Sequence, residues 1–549
     1  MSKIKVIDYL IRSLNKIGIN DFFGLPGDYN FNIVRSIELN EKTNWIGCTN
    51  ELNAGYAADG YARINGYGAL VTTYGVGELS AINAIAGSFA ENIPVIKIVG
   101  TPSTVDIKNN TLLHHNFIDP NYYAFEKAYS NVCETTAYLN RDNAKKEIDR
   151  VINIFVKYKR PVYIAIPMDI CLLDIDEEKA YIEIKSDPKN LQQAVQNALK
   201  LIENSKNPVI LVDVLVKRFF AVDNLKKFIN KINIPVANLL MGKGIIDESQ
   251  ENYLGTYLGS KDNLTTYNSI NNSDCVISIG TIYNDLNTFK FDIKFEANNF
   301  INIQGIYTIV NNKKYDNVLM NDILYELEKN ITKRNIVLKK EEYEYEYKKI
   351  EEGKENKYLT CDFIFSKLQE FIRENDIIFA ETGIIQFGVA ILKFADKMEL
   401  NNQFLWGSIG WATAATFGAC IAIQNIIPKK RIILITGDGS HQLTCQEISS
   451  IMRYNLNPII IILNNSGYTI ERILSEDPNG SYNDIATWNY SLLPKVFKGD
   501  YYSCQAKTKD KLIEVLEKIN TEQKNKLCYI ELFTDKMDMP YLIRKIYNV

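Results

Sequence analysis

The chain reads as α/β, with three doubly wound domains and mainly parallel sheets. Three observations predict this. Buried-looking runs of strand length, such as "PVYIAIP", "PVILVD" and "PIIIIL", alternate with stretches of helical period. The 549 residues exceed what one hydrophobic core can organise. Two charged stretches, 172–190 and 339–357, break the alternation and read as connectors. They leave blocks of 1–185, 190–338 and 358–549, each of ordinary domain size.

Composition narrows the function. The chain is 46% hydrophobic and 23% charged, with a net charge of −4. That balance fits a soluble globular protein, and it carries no basic footprint for nucleic acid or an anionic membrane. No apolar run is long enough to span a bilayer. The N-terminal stretch "MSKIKVIDYLIRSLNK" is amphipathic with charges throughout, unlike a signal peptide. The nine cysteines are scattered, with no CxxC pair, so neither a disulfide framework nor a zinc site is expected. The expected location is the cytoplasm.

The strongest local signal is "RIILITGDGSHQLTCQEISSIMRYNLNPIIIILNNSGYTIER" (431–472). It reads as a strand to Thr436, the turn Gly437-Asp438-Gly439, a helix to about Tyr454, a strand to Leu463, and then Asn464-Asn465-Ser466-Gly467. A right-handed crossover puts the carboxyl ends of both strands on one sheet edge, so Asp438 and Asn465 can converge there. A carboxylate, an amide oxygen and a backbone carbonyl are hard ligands suited to Mg²⁺. Glycines permit close approach, and the helix N-terminus favours an anion. Together they describe a site for a metal-bound diphosphate. GDG alone would be an ordinary turn; the combination with NN-x-G is far more specific. It is not a Walker loop, because GxxxxGK[ST] is absent.

This pattern resembles the thiamine-diphosphate signature. The resemblance implies thiamine-diphosphate enzyme architecture: a pyrimidine-binding domain (1–185), a central domain (190–338) and a diphosphate/Mg-binding domain (358–549). Asp438, Asn465 and the Gly467 carbonyl would hold Mg²⁺, and the Gly437-Asp438-Gly439-Ser440 turn would cradle the diphosphate. In "CTNELNAGYAADGYAR" (48–63), Glu51 opens an Ala/Gly-rich helix. A helix N-terminus favours Glu there in any case; the resemblance makes it the acid facing the pyrimidine. Thr382 follows a strand in "FAETGIIQFG". In "LWGSIGWATAATFGA", the Gly407 carbonyl would receive the pyrimidine amino group and Ile409 would prop the cofactor in a bent shape.

Only three histidines occur in the chain, and two are adjacent in "TLLHHNF" (111–117). With "FFGLPGDYN" (22–30) and "TTYGVGELSA" (72–81), the pair resembles the pyruvate and indolepyruvate decarboxylases. Those non-oxidative 2-oxo acid decarboxylases carry an Asp, a His pair and a Glu soon after NN-x-G, matched here by Asp28, His114, His115 and Glu471. Histidine suits proton transfer near neutral pH, and a neighbouring Asp sets its tautomer. The resemblance implies that the carboxylate of a 2-oxo acid leaves as CO2 and that an aldehyde is released. Asp28 and His115 would relay protons, with His114 adjusting them. A substrate carboxylate beside Glu471 would favour the neutral acid. The third histidine, His441, receives no role.

Substrate expectations rest on three residues and the C-terminal segment. Ile470, beside Glu471, favours a short acyl chain such as that of pyruvate, and Thr382 points the same way. Gln386 replaces an expected hydrophobic wall residue, and either points away or meets a polar group. The C-terminal segment "MPYLIRKIYNV" is short, which favours a broader pocket taking branched-chain or aromatic 2-oxo acids. The rivals are a carboligase similar to acetohydroxyacid synthase and a non-catalytic cofactor-binding protein; the His pair and Glu471 argue against both. The resemblance implies a homodimer or homotetramer with active sites between subunits.

Overall fold

The computed structural model describes residues 3–177, 184–261, 263–294, 299–334, 336, 358–424, 426, 430–523 and 525–548. The connector expected at 339–357 lies outside the described residues, as do residues 178–183 of the other. The chain forms two compact units. One contains residues 1–184 with 410–429 and 444–456; the other contains 185–409, 430–443 and 457–549.

The first unit holds strands β1 (Lys3–Lys5), β2 (Asp21–Gly24), β3 (Asn44–Gly47), β4 (Gly68–Thr73), β5 (Val95–Thr101), β6 (Thr135–Tyr138), β7 (Val162–Pro167) and β8 (Asp174–Asp176). Six of them form a fully parallel sheet in the order β3-β2-β4-β5-β7-β6. β4, β5 and β7 are buried along their whole lengths, which is why they read as continuous apolar runs. β1 pairs antiparallel with β8, so the stretch expected to be irregular from residue 172 begins with a short strand.

The Ala/Gly-rich helix Glu51–Asn65 is capped by Asn50, whose side chain accepts the Asn53 N–H at 2.8 Å, and it ends at Gly66 in the left-handed region. The helix Trp411–Ala422 packs on it within the same unit, although the sequence places that helix in the third block. The backbones approach so closely that a Cβ on Gly60 would lie 2.0 Å from the Ala415 carbonyl oxygen, and one on Gly418 would lie 1.8 Å from that of Ala57. Trp411 Nε1 donates to Asp59 at 2.9 Å, and Arg63 pairs with the same carboxylate at 2.7 Å.

The second unit contains two sheets. β9 (Pro208–Val212), β10 (Val236–Asn238), β11 (Tyr253–Thr256), β12 (Cys275–Ile279), β13 (Phe300–Ile303), β14 (Tyr307–Val310) and β15 (Lys313–Asp316) run in the order β11-β10-β9-β12-β13-β14-β15. The last two strands are antiparallel additions, turned by Asn311 and Asn312 at positive φ. The other sheet is fully parallel. It contains β16 (Ile377–Ala380), β17 (Glu399–Asn401), β18 (Ile432–Gly437), β19 (Ile459–Asn464), β20 (Tyr501–Ala506) and β21 (Leu527–Phe533), in the order β17-β16-β18-β19-β21-β20.

The two six-stranded sheets share one topology. In each, the chain leaves the first strand toward one edge and then returns to build in the other direction. The reversal lies between β2 and β4 in one sheet and between β16 and β18 in the other. Ligands of such sheets bind outside the carboxyl ends of the strands at this reversal.

Candidate active site

In the first unit, the loops after β2, β3, β4 and β5 carry Asp28, Glu51, Gly75 and the His pair. All of these strands are parallel, so the loops share one sheet edge. Asp28 opens a 3-10 turn. His114 Nε2 lies 2.8 Å from Asp28 Oδ2, and His115 Nε2 lies 4.0 Å from Asp28 Oδ1. The two imidazoles are in edge contact, with centroids 4.5 Å apart. The sequence predicted this cluster; the direct hydrogen bond, however, goes to His114 rather than to His115.

The local chain is held in an uncommon shape. His115 has φ +68°, rare for a residue with a side chain. Its carbonyl oxygen would lie 2.1 Å from a Cβ on Gly75, so only glycine fits there. The Tyr74 hydroxyl donates to the His114 carbonyl, and the Tyr29 hydroxyl sits 3.4 Å from His114 Nδ1. Both tyrosines escaped the sequence reading, although Tyr29 directly follows Asp28.

Glu51 is half-buried in the first turn of its helix, as expected. A Cβ on Gly77 would lie 3.2 Å from its Oε1, so this glycine leaves the carboxylate room.

In the second unit, Asp438 follows β18 and Asn465 follows β19. The Asp438 carboxylate is buried. Oδ1 accepts the Gly439 N–H at 2.8 Å, and Oδ2 accepts those of Asn465 at 3.1 Å and Ser466 at 2.7 Å. Burial pushes this carboxyl up to about 6, against the pull of those amides and that of Gly467. Asn465 Nδ2 donates to Thr469 at 2.7 Å, while its Oδ1 is buried without a partner. A buried amide oxygen lacking a donor is costly unless something else meets it. Beside a buried carboxylate, a hard divalent cation satisfies that requirement. Gly467 has φ +144°, and a Cβ there would lie 2.1 Å from the Asn483 carbonyl oxygen. These donors fit the metal-bound diphosphate read from the sequence. Gly437, Gly439 and the buried Ser440 complete the turn, and a Cβ on Gly439 would meet the Tyr468 ring at 2.5 Å.

The remaining expected residues lie around this edge of the same unit. Thr382 follows β16, and its buried hydroxyl has no partner. Gly407 has φ +68°, and a Cβ on it would come within 3.9 Å of Thr382 Cγ2. Ile409 and Ile470 are half-buried; Ile470 lies 3.9 Å from where a Cβ on Gly383 would be. Gln386 is buried with an unpartnered amide oxygen. Glu471 is exposed in the first turn of its helix, and the Tyr547 phenol is pushed up by burial, then by Asp285 and by Glu471. His441 is a core residue, hydrogen-bonded to Tyr529 at 2.7 Å and pushed down to about 3 by burial, so it stays neutral. Among the described residues, no helix is long and apolar enough to cross a membrane.

Comparison with known proteins agrees with this geometry. The N-terminal binding domain of thiamine pyrophosphate enzymes matches residues 4–121, their central domain 195–323 and their C-terminal binding domain 381–532. Fold and site therefore define a thiamine-diphosphate enzyme. The pyruvate decarboxylase of Kluyveromyces lactis is 35% identical over 547 residues, covering 98% of this chain and 97% of the relative. Isozymes 1 and 3 of Saccharomyces cerevisiae pyruvate decarboxylase are 35% and 36% identical, over 98% and 91% of this chain and 97% and 90% of their own lengths. The chain belongs to the thiamine-diphosphate-dependent 2-oxo acid decarboxylase family and is a carboxy-lyase.

Proposed function

We propose that the protein converts pyruvate, or another short aliphatic 2-oxo acid, to an aldehyde and CO2, using thiamine diphosphate held through Mg²⁺. The observation that carries this reading is the Asp28–His114–His115 cluster on the sheet edge facing Gly75. A carboligase forms a carbon–carbon bond where a decarboxylase places a proton, so it needs no such set of proton donors at that carbon. The names of the relatives favour pyruvate.

Asp438, the Asn465 amide oxygen and the Gly467 carbonyl would hold the metal. Ser440 and the N-terminus of its helix would face the diphosphate. Thr382, Gly407 and Ile409 would line the cofactor. Bound thiamine diphosphate would supply a ring that accepts the electron pair left on the substrate carbon as CO2 departs. Glu51 would hold a proton against the pyrimidine nitrogen. Asp28 and His115 would relay protons, each taking one up before passing it on to the reacting carbon or oxygen, with His114, hydrogen-bonded to Asp28, adjusting that relay. Glu471 would sit beside the substrate carboxylate. Ile470 and Gln386 would bound the acyl chain. The division into pyrimidine-binding, central and diphosphate-binding domains is supported by the three matched segments. A cytoplasmic homodimer or homotetramer completes the reading.

A broader preference for branched or aromatic 2-oxo acids is the second reading, favoured by the unpartnered Gln386 oxygen at the expected wall. Ranking kcat/KM for pyruvate, branched-chain oxo acids, phenylpyruvate and indolepyruvate tests the two. Pyruvate ranking first supports the first reading; phenylpyruvate or indolepyruvate ranking first overturns it.

A further inference from the structure

Two imidazoles and a carboxylate meeting at one point are a metal-ligand set as well as an acid–base set. Asp28, His114 and His115 each offer a ligand atom, and those atoms all lie within 4.8 Å of one another. Among the described residues, no other group of three or more His, Cys, Asp or Glu side chains does so. The cluster is open to solvent: the side chains of Asp28, His114 and His115 are 47%, 59% and 32% exposed. An ion can therefore reach it without any opening of the fold. No cysteine belongs to it.

The spacing fits a small tetrahedral ion. At metal–ligand distances of about 2.0–2.2 Å, neighbouring ligand atoms stand about 3.3–3.6 Å apart. His114 Nε2 is 2.8 Å from Asp28 Oδ2 and His115 Nε2 is 4.0 Å from Asp28 Oδ1, on either side of that range. Small rotations of exposed side chains close the difference. The segment carrying the imidazoles is held from two sides: the Tyr74 hydroxyl donates to the His114 carbonyl, and the His115 carbonyl packs over Gly75, where no Cβ fits. When His114 Nε2 binds an ion, its ring proton sits on Nδ1, 3.4 Å from the Tyr29 hydroxyl oxygen that accepts it. Such an outer partner fixes the orientation of a metal-binding histidine. The donors at Asp438 and Asn465 are oxygens and suit Mg²⁺; imidazole nitrogens favour Zn²⁺ over Mg²⁺.

We propose that Asp28, His114 and His115 form a second cation site, which takes Zn²⁺ through one carboxylate oxygen and two ring nitrogens, and that zinc bound there switches the reaction off reversibly. Three protein ligands leave a fourth position for water. The ring nitrogens then have no lone pair left to accept a proton, and the ion neutralises the Asp28 carboxylate, so the relay stops. The inhibition rests on the reading of these residues as the proton relay; the binding of zinc does not. Thiamine diphosphate and Mg²⁺ are retained, because none of the residues expected to hold them belongs to the triad.

Full-length protein loaded with thiamine diphosphate and excess Mg²⁺ is titrated with Co²⁺, a coloured stand-in for zinc, and then with Zn²⁺. The expected result is one Co²⁺ per chain, with the intense visible bands of a four-coordinate ion and no thiolate charge-transfer band. Zn²⁺ displaces it one for one, and more Mg²⁺ does not. Aldehyde release falls over the same range of zinc concentration, and a zinc-selective chelator restores it with the cofactor still bound. Asp28→Asn and the double variant His114→Gln/His115→Gln should each weaken Co²⁺ binding by about 10-fold or more. Thiamine diphosphate binding shows that each variant is folded; if the double variant is not, Asp28→Asn carries the test. Absence of bound Co²⁺, a thiolate spectrum, displacement by Mg²⁺, or unchanged affinity in the folded variants overturns the proposal. One ion bound at the triad with aldehyde release undiminished would leave the site standing and show that the relay reading has failed, and the switch with it.

Discussion

The Asp28 carboxylate is hydrogen-bonded to His114, at 2.8 Å, and stands 4.0 Å from His115. One acid thus orders one imidazole directly and stands beyond direct hydrogen-bond length from the second. Proton delivery falls to this group in the proposed reaction. Replacing Asp28 by Asn keeps the shape and removes the charge. We expect kcat to fall by about 10²–10⁴, with thiamine diphosphate still bound at wild-type affinity. Steady-state kinetics beside a binding titration checks both halves.

The metal prediction follows from one orphaned atom. Asn465 Oδ1 is buried and unpaired beside the Asp438 carboxylate. Asn465→Ala should raise the Mg²⁺ concentration needed for half-maximal activity by about 10–100-fold. Asp438→Asn should be worse, since it also weakens the acceptor of three backbone amides. Titrating metal back into chelator-treated protein measures this.

His441 gives a pH-dependence of stability. Its folded value, about 3, lies below the ordinary histidine range, so the unfolded chain binds the extra proton. Its contribution is complete above about pH 6.5 and is lost as pH falls. The loss is about 1.4 kcal/mol per pH unit below that point. Denaturant titrations between pH 5 and 7 should show this slope reduced in His441→Gln.

The helix pair Glu51–Asn65 and Trp411–Ala422 depends on missing side chains. A methyl on Gly418 would lie 1.8 Å from the Ala57 carbonyl oxygen, and rigid backbone cannot yield there. Gly418→Ala should cost about 1–3 kcal/mol or more and lower the thermal midpoint measured by calorimetry. The same change at Gly18, which has nothing within 4 Å, meets no such clash and should cost only the penalty of its φ of +91°.

Ile470 is expected to limit the acyl chain. Ile470→Ala should improve kcat/KM for branched-chain oxo acids relative to pyruvate by about 10-fold, the range available to a few methylene groups. An unchanged ratio would remove Ile470 from the pocket.

Much of this was legible in the residues. The runs "RIILIT" and "PIIIIL" became central buried strands because parallel sheets covered on both faces need continuous apolar sequence. Asp438 and Asn465 met because crossover handedness leaves one arrangement. The helix after GDG did not run unbroken to Tyr454: the helices Asp438–Thr444 and Ile448–Arg453 are separated by a 3-10 turn, Cys445–Glu447. The grouping of Trp411–Ala422 with the first unit was hidden, because an Ala/Gly face does not say which distant Ala/Gly face it meets. The β14–β15 hairpin was marked by Asn311-Asn312, a turn signal passed over inside an α/β pattern. Lys97, buried on β5, was visible as the single charge in "VIKIVG", yet a local pattern cannot tell a buried lysine from a broken strand.

The central claim is that this site releases an aldehyde from a 2-oxo acid. The most direct measurement incubates the protein with pyruvate, thiamine diphosphate and Mg²⁺, and quantifies CO2, acetaldehyde and acyloin together. The account predicts one aldehyde for each CO2, with acyloin a minor product. Acetohydroxy acid or acyloin as the main product would contradict it, as would absence of CO2 release with the cofactor demonstrably bound.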